Sequence, residues 1–303
     1  MILVYGTICI DRVFVLQELP KPGGFAEILS QASVLGGEAA NTATFLRAWG
    51  REIRLAGNPT GDGLEGEQLA AMIREKGLPD RDIRRGNGPV PVCFILVTAD
   101  GERTMFGSGF GDLGRDNLTE GVPFEKGHWF TADPNMSCAS RGAARKAIEA
   151  GMSIYLMDFI RPDDPIEPGS FWQSSTDWVG RRGDMPHNVE FVKELVGKRR
   201  CHAILSDGPN GLVAGSPEHP VRHFPPFPCP EVVDSTGAGD AFRAGMLYGL
   251  DQGWDFGSCL RFASAAGSLK CRSLGAATAV PTVAEVEAHI AAHPEVADRY
   301  AIR

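Results

Sequence analysis

At 303 residues, 43% apolar and 22% charged, the chain has ordinary globular composition and enough length to bury a large core. A formal net charge of -8 and a pI near 5.4 exclude the Lys/Arg excess on which nucleic-acid surfaces and polybasic membrane patches depend, which leaves a small-molecule partner. No apolar run approaches the roughly 20 residues that cross a bilayer, and the opening "MILVYGTICIDRVF" has neither a basic leader nor a small-residue cleavage site, so the expectation is a soluble cytoplasmic protein.

In chain order, "MILVYGTICI" reads as a buried strand ending at Asp11, and "RVFVLQELPKPGGFAEILSQASVL" as short paired strands around the turn at Pro20 to Gly24. Helical spacing runs from Ala39 to Trp49 and stops at Gly50. A strand "IRLAGN", a Gly/Asp loop and the helix "EQLAAMIREKG" follow, then two strands around an Asp-Gly turn in "VCFILVTADGERTMFG". The strand "HWFTAD", the helix "ASRGAARKAIEAG" and the strand "SIYLMDF" continue the alternation, while 161–187 has no clear period and reads as loop. After it come the helix "VEFVKELVG", the strand "CHAILSD", the short strands "GLVAG" and "VRHFP", and mostly helices from 239 to 293. The rhythm predicts a Rossmann-like α/β three-layer sandwich with a mostly parallel central sheet, and the hairpin-like pieces at about 12–35 and 90–108 predict a small β lid on a single domain. Seven cysteines without a C-x-x-C pair read as buried thiols rather than disulfides or zinc ligands.

Chemistry concentrates in "VVDSTGAGDAFRAGML", where a strand-like pair, Val232 and Val233, leads through Gly237, Ala238 and Gly239 to Asp240 and a helix. Small residues let backbone N–H groups approach a ligand, and the positive end of the helix points at the same spot, so the corner can hold an anion. Taken alone, Asp240 is equally a helix-capping residue in a glycine-rich turn. "GGEAAN", Gly36 to Asn41, taken alone is a glycine turn before a helix.

Together, "DSTGAGDAFRAGML" and "GGEAAN" resemble the two motifs of the ribokinase-like (pfkB) carbohydrate kinase family, and matches lie in order along nearly the whole chain. Asp11 stands where family members keep a sugar-binding aspartate, "GERT" resembles a lid hairpin, "SDGPNG" stands at the nucleotide loop, and "LGAATAVPT" resembles the segment that closes the nucleotide site. The resemblance implies a ribokinase-like fold, ATP and Mg²⁺ as cofactors, and transfer of the γ-phosphate to a hydroxyl of a sugar or sugar-like substrate. It implies Asp240 as general base, an anion hole from Gly237, Ala238 and Gly239, and substrate contacts from Asp11, Gly36, Gly37 and Asn41. Nucleotide contacts are implied for Ser206, Asp207, Gly208, Gly211, Ser264 and Gly275. Glu190, in "PHNVEF", resembles the acid of an Asn-x-x-Glu motif that reaches magnesium through water, with His187 in the Asn place; its other reading is a solvated helix-start acid. Asp234 and the Thr236 carbonyl are implied ligands of a monovalent cation such as K⁺.

The chain departs from the pattern at Glu38, where ribokinases commonly have Lys, at Asp207, where the nucleotide loop usually has an apolar residue, and throughout 161–187. Within that segment Arg161 is expected to pair with Asp158 or Asp163. A nucleoside kinase is the alternative within the class, with Phe14 or Phe106 offered to a base, and a catalytically silent metabolite-binding relative is the alternative outside it. A dinucleotide-dependent oxidoreductase is excluded, because "GTICID" after the first strand is no G-x-G-x-x-G. The apolar, edge-like lid strands point to a homodimer joined through the lid.

Overall fold

The computed structural model describes residues 1–86, 89–111 and 119–302. Its central sheet has eight strands in the order β12-β11-β10-β9-β8-β7-β1-β4. Six of them are mutually parallel: β4 (Ile53–Gly57), β1 (Ile2–Gly6), β7 (Trp129–Ala132), β8 (Ser153–Met157), β9 (Phe171–Ser175) and β10 (His202–Ser206). The antiparallel β11 (Leu212–Gly215) and β12 (Arg222–Phe224) complete one edge. All five residues of β1 are buried, as a parallel strand covered on both faces requires. Ile2 and Val4 face one apolar layer, with α1 (Glu38–Ala48), α2 (Gly63–Glu75), α5 (Ala238–Asp251), α6 (Phe256–Lys270) and α7 (Val283–Ala292). Leu3 and Tyr5 face the other, with α3 (Ser137–Glu149) and α4 (Met185–Arg199). The result is the three-layer sandwich expected.

A second sheet of four strands, β3-β2-β5-β6, forms the lid: β2 (Cys9–Leu16), β3 (Ile28–Gly36), β5 (Val92–Val97) and β6 (Arg103–Ser108). Its own small core is Val13, Ile95 and Val97.

Five local expectations are corrected. The first strand does not continue to Asp11: it breaks after Gly6, and Asp11 is the third residue of β2, in the lid. The break is stable because side chains replace the ladder. Thr7 N donates to Asp133 Oδ2 (3.0 Å), Ile8 N donates to Asn58 Oδ1 (2.8 Å), and Asn58 Nδ2 donates to the Ile8 carbonyl (2.9 Å).

The segment 161–187 is not all loop. It contributes β9 to the middle of the parallel sheet and the start of α4, whose N-cap Asp184 accepts from His187 N. Four of its five residues are buried and show no alternation, and the polar members Gln173 and Ser174 are buried with hydrogen bonds that only the fold supplies.

Val232 and Val233 are not a strand but exposed chain, with Val233 N held by the Cys271 carbonyl (2.8 Å). Among the described residues Arg161 makes no ion pair with Asp158 or Asp163. Arg141 pairs with Asp164 instead (2.6 Å), and Asp164 Oδ2 accepts from Arg161 N (2.7 Å).

Among the described residues no helix is long and apolar enough to cross a membrane. All seven cysteines are free, with Cys9, Cys201 and Cys259 buried and Cys138 exposed, so the buried-thiol reading does not hold for Cys138.

Candidate active site

The carboxyl ends of the parallel strands are where open α/β sheets bind ligands, and the acidic residues gather there. Asp133 follows β7, Asp158 follows β8 and Asp207 follows β10. Beside them α5 begins with Gly237 as N-cap, so the N–H groups of its first turn lack intrahelical acceptors, as an anion site at a helix start requires. Ala238 N is turned back onto the Ser235 carbonyl at a long 3.2 Å.

The two glycines of the corner differ in their reasons. Gly237 has φ 79°, and a Cβ there would meet Ala276 Cα at 2.7 Å. At Gly239 a Cβ would meet only Gln173 Nε2, at 3.9 Å, so that position is open. Gln173, on β9, donates from Nε2 to the Gly239 carbonyl (3.0 Å) and accepts from Tyr155 Oη (2.6 Å), which ties the helix start to the sheet.

Asp240 is not capping the helix with its side chain. Its Oδ2 accepts from Asn41 Nδ2 (2.9 Å) and its Oδ1 from Arg243 Nη2 (3.3 Å). Burial pushes its pKa up to about 6; Arg243 and Asn41 pull down against it, while the charges of Asp133 and Asp158 add to the rise. Arg243 is fully buried, one turn along α5. Its Nε donates to Thr42 Oγ1 (2.8 Å), its Nη2 also to the Glu38 carbonyl, and its Nη1 is buried without a partner among the described residues.

Asn41 Oδ1 and Glu38 Oε2 are likewise buried and, among the described residues, unpartnered. Burial, together with the charges of Asp133, Asp158 and Asp240, pushes Glu38 well above the usual carboxylate range against the pull of Arg243.

Asp11 reaches the same corner from the lid. It is buried, accepts from Cys9 Sγ (3.3 Å), and lies so close over Gly36 that a Cβ there would sit 2.1 Å from its carboxylate carbon. Burial raises its pKa to about 7; the Cys9 bond lowers it, and the charges of Asp240 and Asp234 raise it further. Gly37 is the N-cap of α1. Asp11, Gly36, Gly37 and Asn41 therefore converge with Asp240, although they belong to β2, β3 and α1.

The nucleotide-side residues are more scattered in what they do. Ser206 ends β10, Gly208 lies in an exposed single turn, and Gly211 is buried against β12. Asp207 is a clamp: its Oδ1 accepts from Thr176 Oγ1 (2.8 Å) and its Oδ2 from Gly183 N (2.9 Å). Ser264 Oγ accepts from Tyr300 Oη (2.8 Å), and Gly275 N donates to Asp234 Oδ2 (2.8 Å). Glu190 lies on the exposed side of α4, paired with Lys193 (2.7 Å), as the solvated-acid reading has it. The Asn beside it, Asn188, is buried and clamps both N and O of Arg181 (2.8 Å each).

Sequence reasoning did not single out Arg243, Gln173, Asp133 or Lys270. Arg243 and Glu38 lie three residues from Asp240 and Asn41 on their helices, a spacing that brings side chains together and was available as a signal. Gln173 and Asp133 carried none.

A family model for "pfkB family carbohydrate kinase" matches residues 1–110 and 175–283. The chain belongs to this family. A relative from Dictyostelium discoideum, described as an uncharacterized sugar kinase, is 30% identical over 93% of this chain and 95% of its own. The fold is shared with a ribokinase from Cryptococcus neoformans var. grubii solved with ADP (TM-score 0.76, 19% identity, 95% of this chain and 98% of that one). It is shared also with a Burkholderia thailandensis nucleoside kinase solved with inosine (TM-score 0.74, 20% identity, 97% of each). The protein is thus an enzyme of the sugar and nucleoside kinase class, and the silent-relative reading falls away.

Proposed function

We propose that the protein transfers the γ-phosphate of ATP to a hydroxyl of an uncharged, polyhydroxylated substrate, with Asp240 as general base. The observation that carries this reading is the 2.9 Å hydrogen bond from Asn41 to Asp240, which joins "GGEAAN" to the acid 199 positions away. It aims one carboxylate from a helix start and leaves Asn41 Oδ1 free to accept from a substrate hydroxyl. A base with a pKa near 6 is deprotonated at neutral pH and still able to take a proton.

Phosphoryl transfer relies on positioning and on stabilising charge on the equatorial oxygens; the N–H groups of Gly237 and Gly239 would supply the latter, joined by Ala238 N once it leaves its long bond to the Ser235 carbonyl. Unpartnered atoms on Glu38, Asn41 and Arg243, with the Asp11 carboxylate, offer a polyol both donors and acceptors. The excess of carboxylates over this one arginine disfavours sugar acids and sugar phosphates.

The nucleotide enters along 206–211 and Gly275. Magnesium, when bound with it, supplies neutralisation of the phosphates. Asp158 fits a contact through water: its Oδ1 accepts from Ser174 Oγ (2.6 Å), its Oδ2 accepts from no described donor, and its charge acts on Asp240. The paired, exposed Glu190 fits less well.

We read residues 1–303 as one kinase domain, and the exposed Ile28, Leu29 and Phe106 on the outer lid strands as supporting a homodimer, which sedimentation velocity checks. A nucleoside is the second reading, favoured by Phe14 stacked on Phe94 across the lid (centroids 6.5 Å apart, planes 8° apart). ATP consumption measured with pentoses, hexoses, sugar acids and nucleosides decides. Stimulation by neutral sugars supports the first reading, stimulation by nucleosides alone the second, and stimulation by neither rejects both.

A further inference from the structure

The family resemblance implies a monovalent cation beside the anion hole, held by Asp234 and the Thr236 carbonyl, and Asp234 fits that role poorly. Both carboxylate oxygens of the fully buried Asp234 already accept from protein donors: Oδ1 from Thr236 N (2.8 Å) and Thr236 Oγ1 (2.6 Å), Oδ2 from Gly275 N (2.8 Å). The Asp234 carbonyl is held as well, by an ammonium. Lys270, the last residue of α6, is fully buried and donates from Nζ to the carbonyls of Asp234 (2.8 Å) and Ser273 (3.1 Å).

A lysine with no exposed surface is rare, because removing an ammonium from water is unfavourable unless charge and hydrogen bonds compensate. Here Asp234 supplies the charge and two carbonyls supply the acceptors. Burial lowers the Lys270 pKa, and Asp234 counters it. The same loop, three residues on, becomes the N-cap of α5, so whatever fixes Asp234 also fixes the Gly237 to Gly239 backbone.

We propose that the Lys270 ammonium is the resident cation of this loop, a positioning residue for the anion hole that makes the enzyme independent of potassium or sodium. The inference rests on the reading of 237–239 as the anion hole, and it goes further in assigning the loop's cation to the chain itself. A tethered ammonium holds the carbonyls at every ionic composition, whereas a free ion holds them only when present well above its dissociation constant.

The test is made on the full chain at fixed ionic strength in KCl, NaCl or tetramethylammonium chloride. Wild-type turnover is expected to be the same in all three; stimulation by K⁺ of more than about twofold overturns the proposal. Lys270→Met should lose on the order of 10²-fold in kcat, as misplacing a reacting group does, and regain part of it in K⁺ or NH₄⁺, with Lys270→Arg retaining more activity than Lys270→Met. An equal, unrescued loss in both variants assigns Lys270 a merely structural role and also overturns it.

Melting temperature without substrates is the second readout. K⁺ should raise that of Lys270→Met and leave wild type unchanged. If no substrate is found, this readout tests the cation assignment independently of the kinase reading; if Lys270→Met does not fold, the wild-type ion series decides.

Discussion

The turn that opens α5 and the turn that follows β10 both present glycines at the carboxyl edge of the sheet, yet they are built in opposite ways. The first is tied down at nearly every residue: Asp234 to Thr236 and Gly275, its carbonyl to Lys270, Gly239 to Gln173, Asp240 to Asn41 and Arg243. The second is anchored by Asp207, by the bond between the Asn210 carbonyl and His223 Nε2 (2.8 Å) and by Gly211 against β12, while the side chains of 208–210 stand exposed. The difference fits the two tasks proposed for these turns. Stabilising charge in a transition state demands donors that do not reorganise, while admitting and releasing a nucleotide tolerates movement.

The contrast is broken or sharpened most strongly at the two aspartates. Asp240→Asn should reduce kcat by about 10²-fold or more and leave ATP affinity nearly unchanged, since the amide keeps the shape and loses the base. Asp207→Ala should raise the KM for ATP several-fold, on the order of 1 kcal/mol for a lost clamp, with a smaller effect on kcat. Steady-state kinetics with ATP titration separates them, and an equal loss of kcat in both would remove the distinction.

Within the α5 turn, Gly237→Ala and Gly239→Ala should part company. At Gly237 the left-handed backbone and Ala276 oppose a side chain, and a loss of about 1–2 kcal/mol or more in denaturant unfolding is expected. At Gly239 the space is open, so stability should hold while kcat falls because the methyl stands where the phosphate must approach. An active Gly239→Ala enzyme would place the anion hole elsewhere.

The acids of the corner make two pH statements. As a base Asp240 must be ionised, so kcat should fall below a pH of about 6, and Asn41→Ala, by removing a bond that favours the carboxylate, should move that limb upward. Stability runs the other way. Asp11 at about 7 and Asp240 and Asp158 at about 6 lie above the ordinary 3.8, so each holds its proton more tightly folded than unfolded. Their contribution is fully present below the unfolded value and is lost as pH rises through 6 to 7. The ligand-free protein should therefore melt at a higher temperature at pH 5 than at pH 7.5, and a flat or reversed trend would show these carboxylates ionised at no penalty.

The layers and the motif pair were legible in sequence because apolar runs and glycine spacing are local signals. What was not legible depended on distant partners. The break after Gly6 is stable only because Asp133 and Asn58 stand beside Thr7 and Ile8. Strand β9 hides as loop because Gln173 and Ser174 look like surface residues until Tyr155, Gly239 and Asp158 surround them. Lys270 gave a faint sign, the one charge in the closing stretch "FASAAGSLK" of α6, but nothing in the string names two carbonyls as its partners.

The smallest expected effect concerns magnesium, and it asks whether metal binding sides with the fixed turn or the open one. Glu190 and Lys193 form an exposed pair of the kind that contributes little. Glu190→Gln should therefore leave the Mg²⁺ concentration at half-maximal activity where it was. Asp158→Asn should raise that concentration several-fold, on the order of 1 kcal/mol for one contact through water. The Ser174 bond would survive on the amide oxygen, so the backbone, at φ 60° beside β9, stays in place. If Glu190→Gln shifts the magnesium requirement and Asp158→Asn does not, α4 must move toward the nucleotide when it binds, and the metal belongs with the open side of the site.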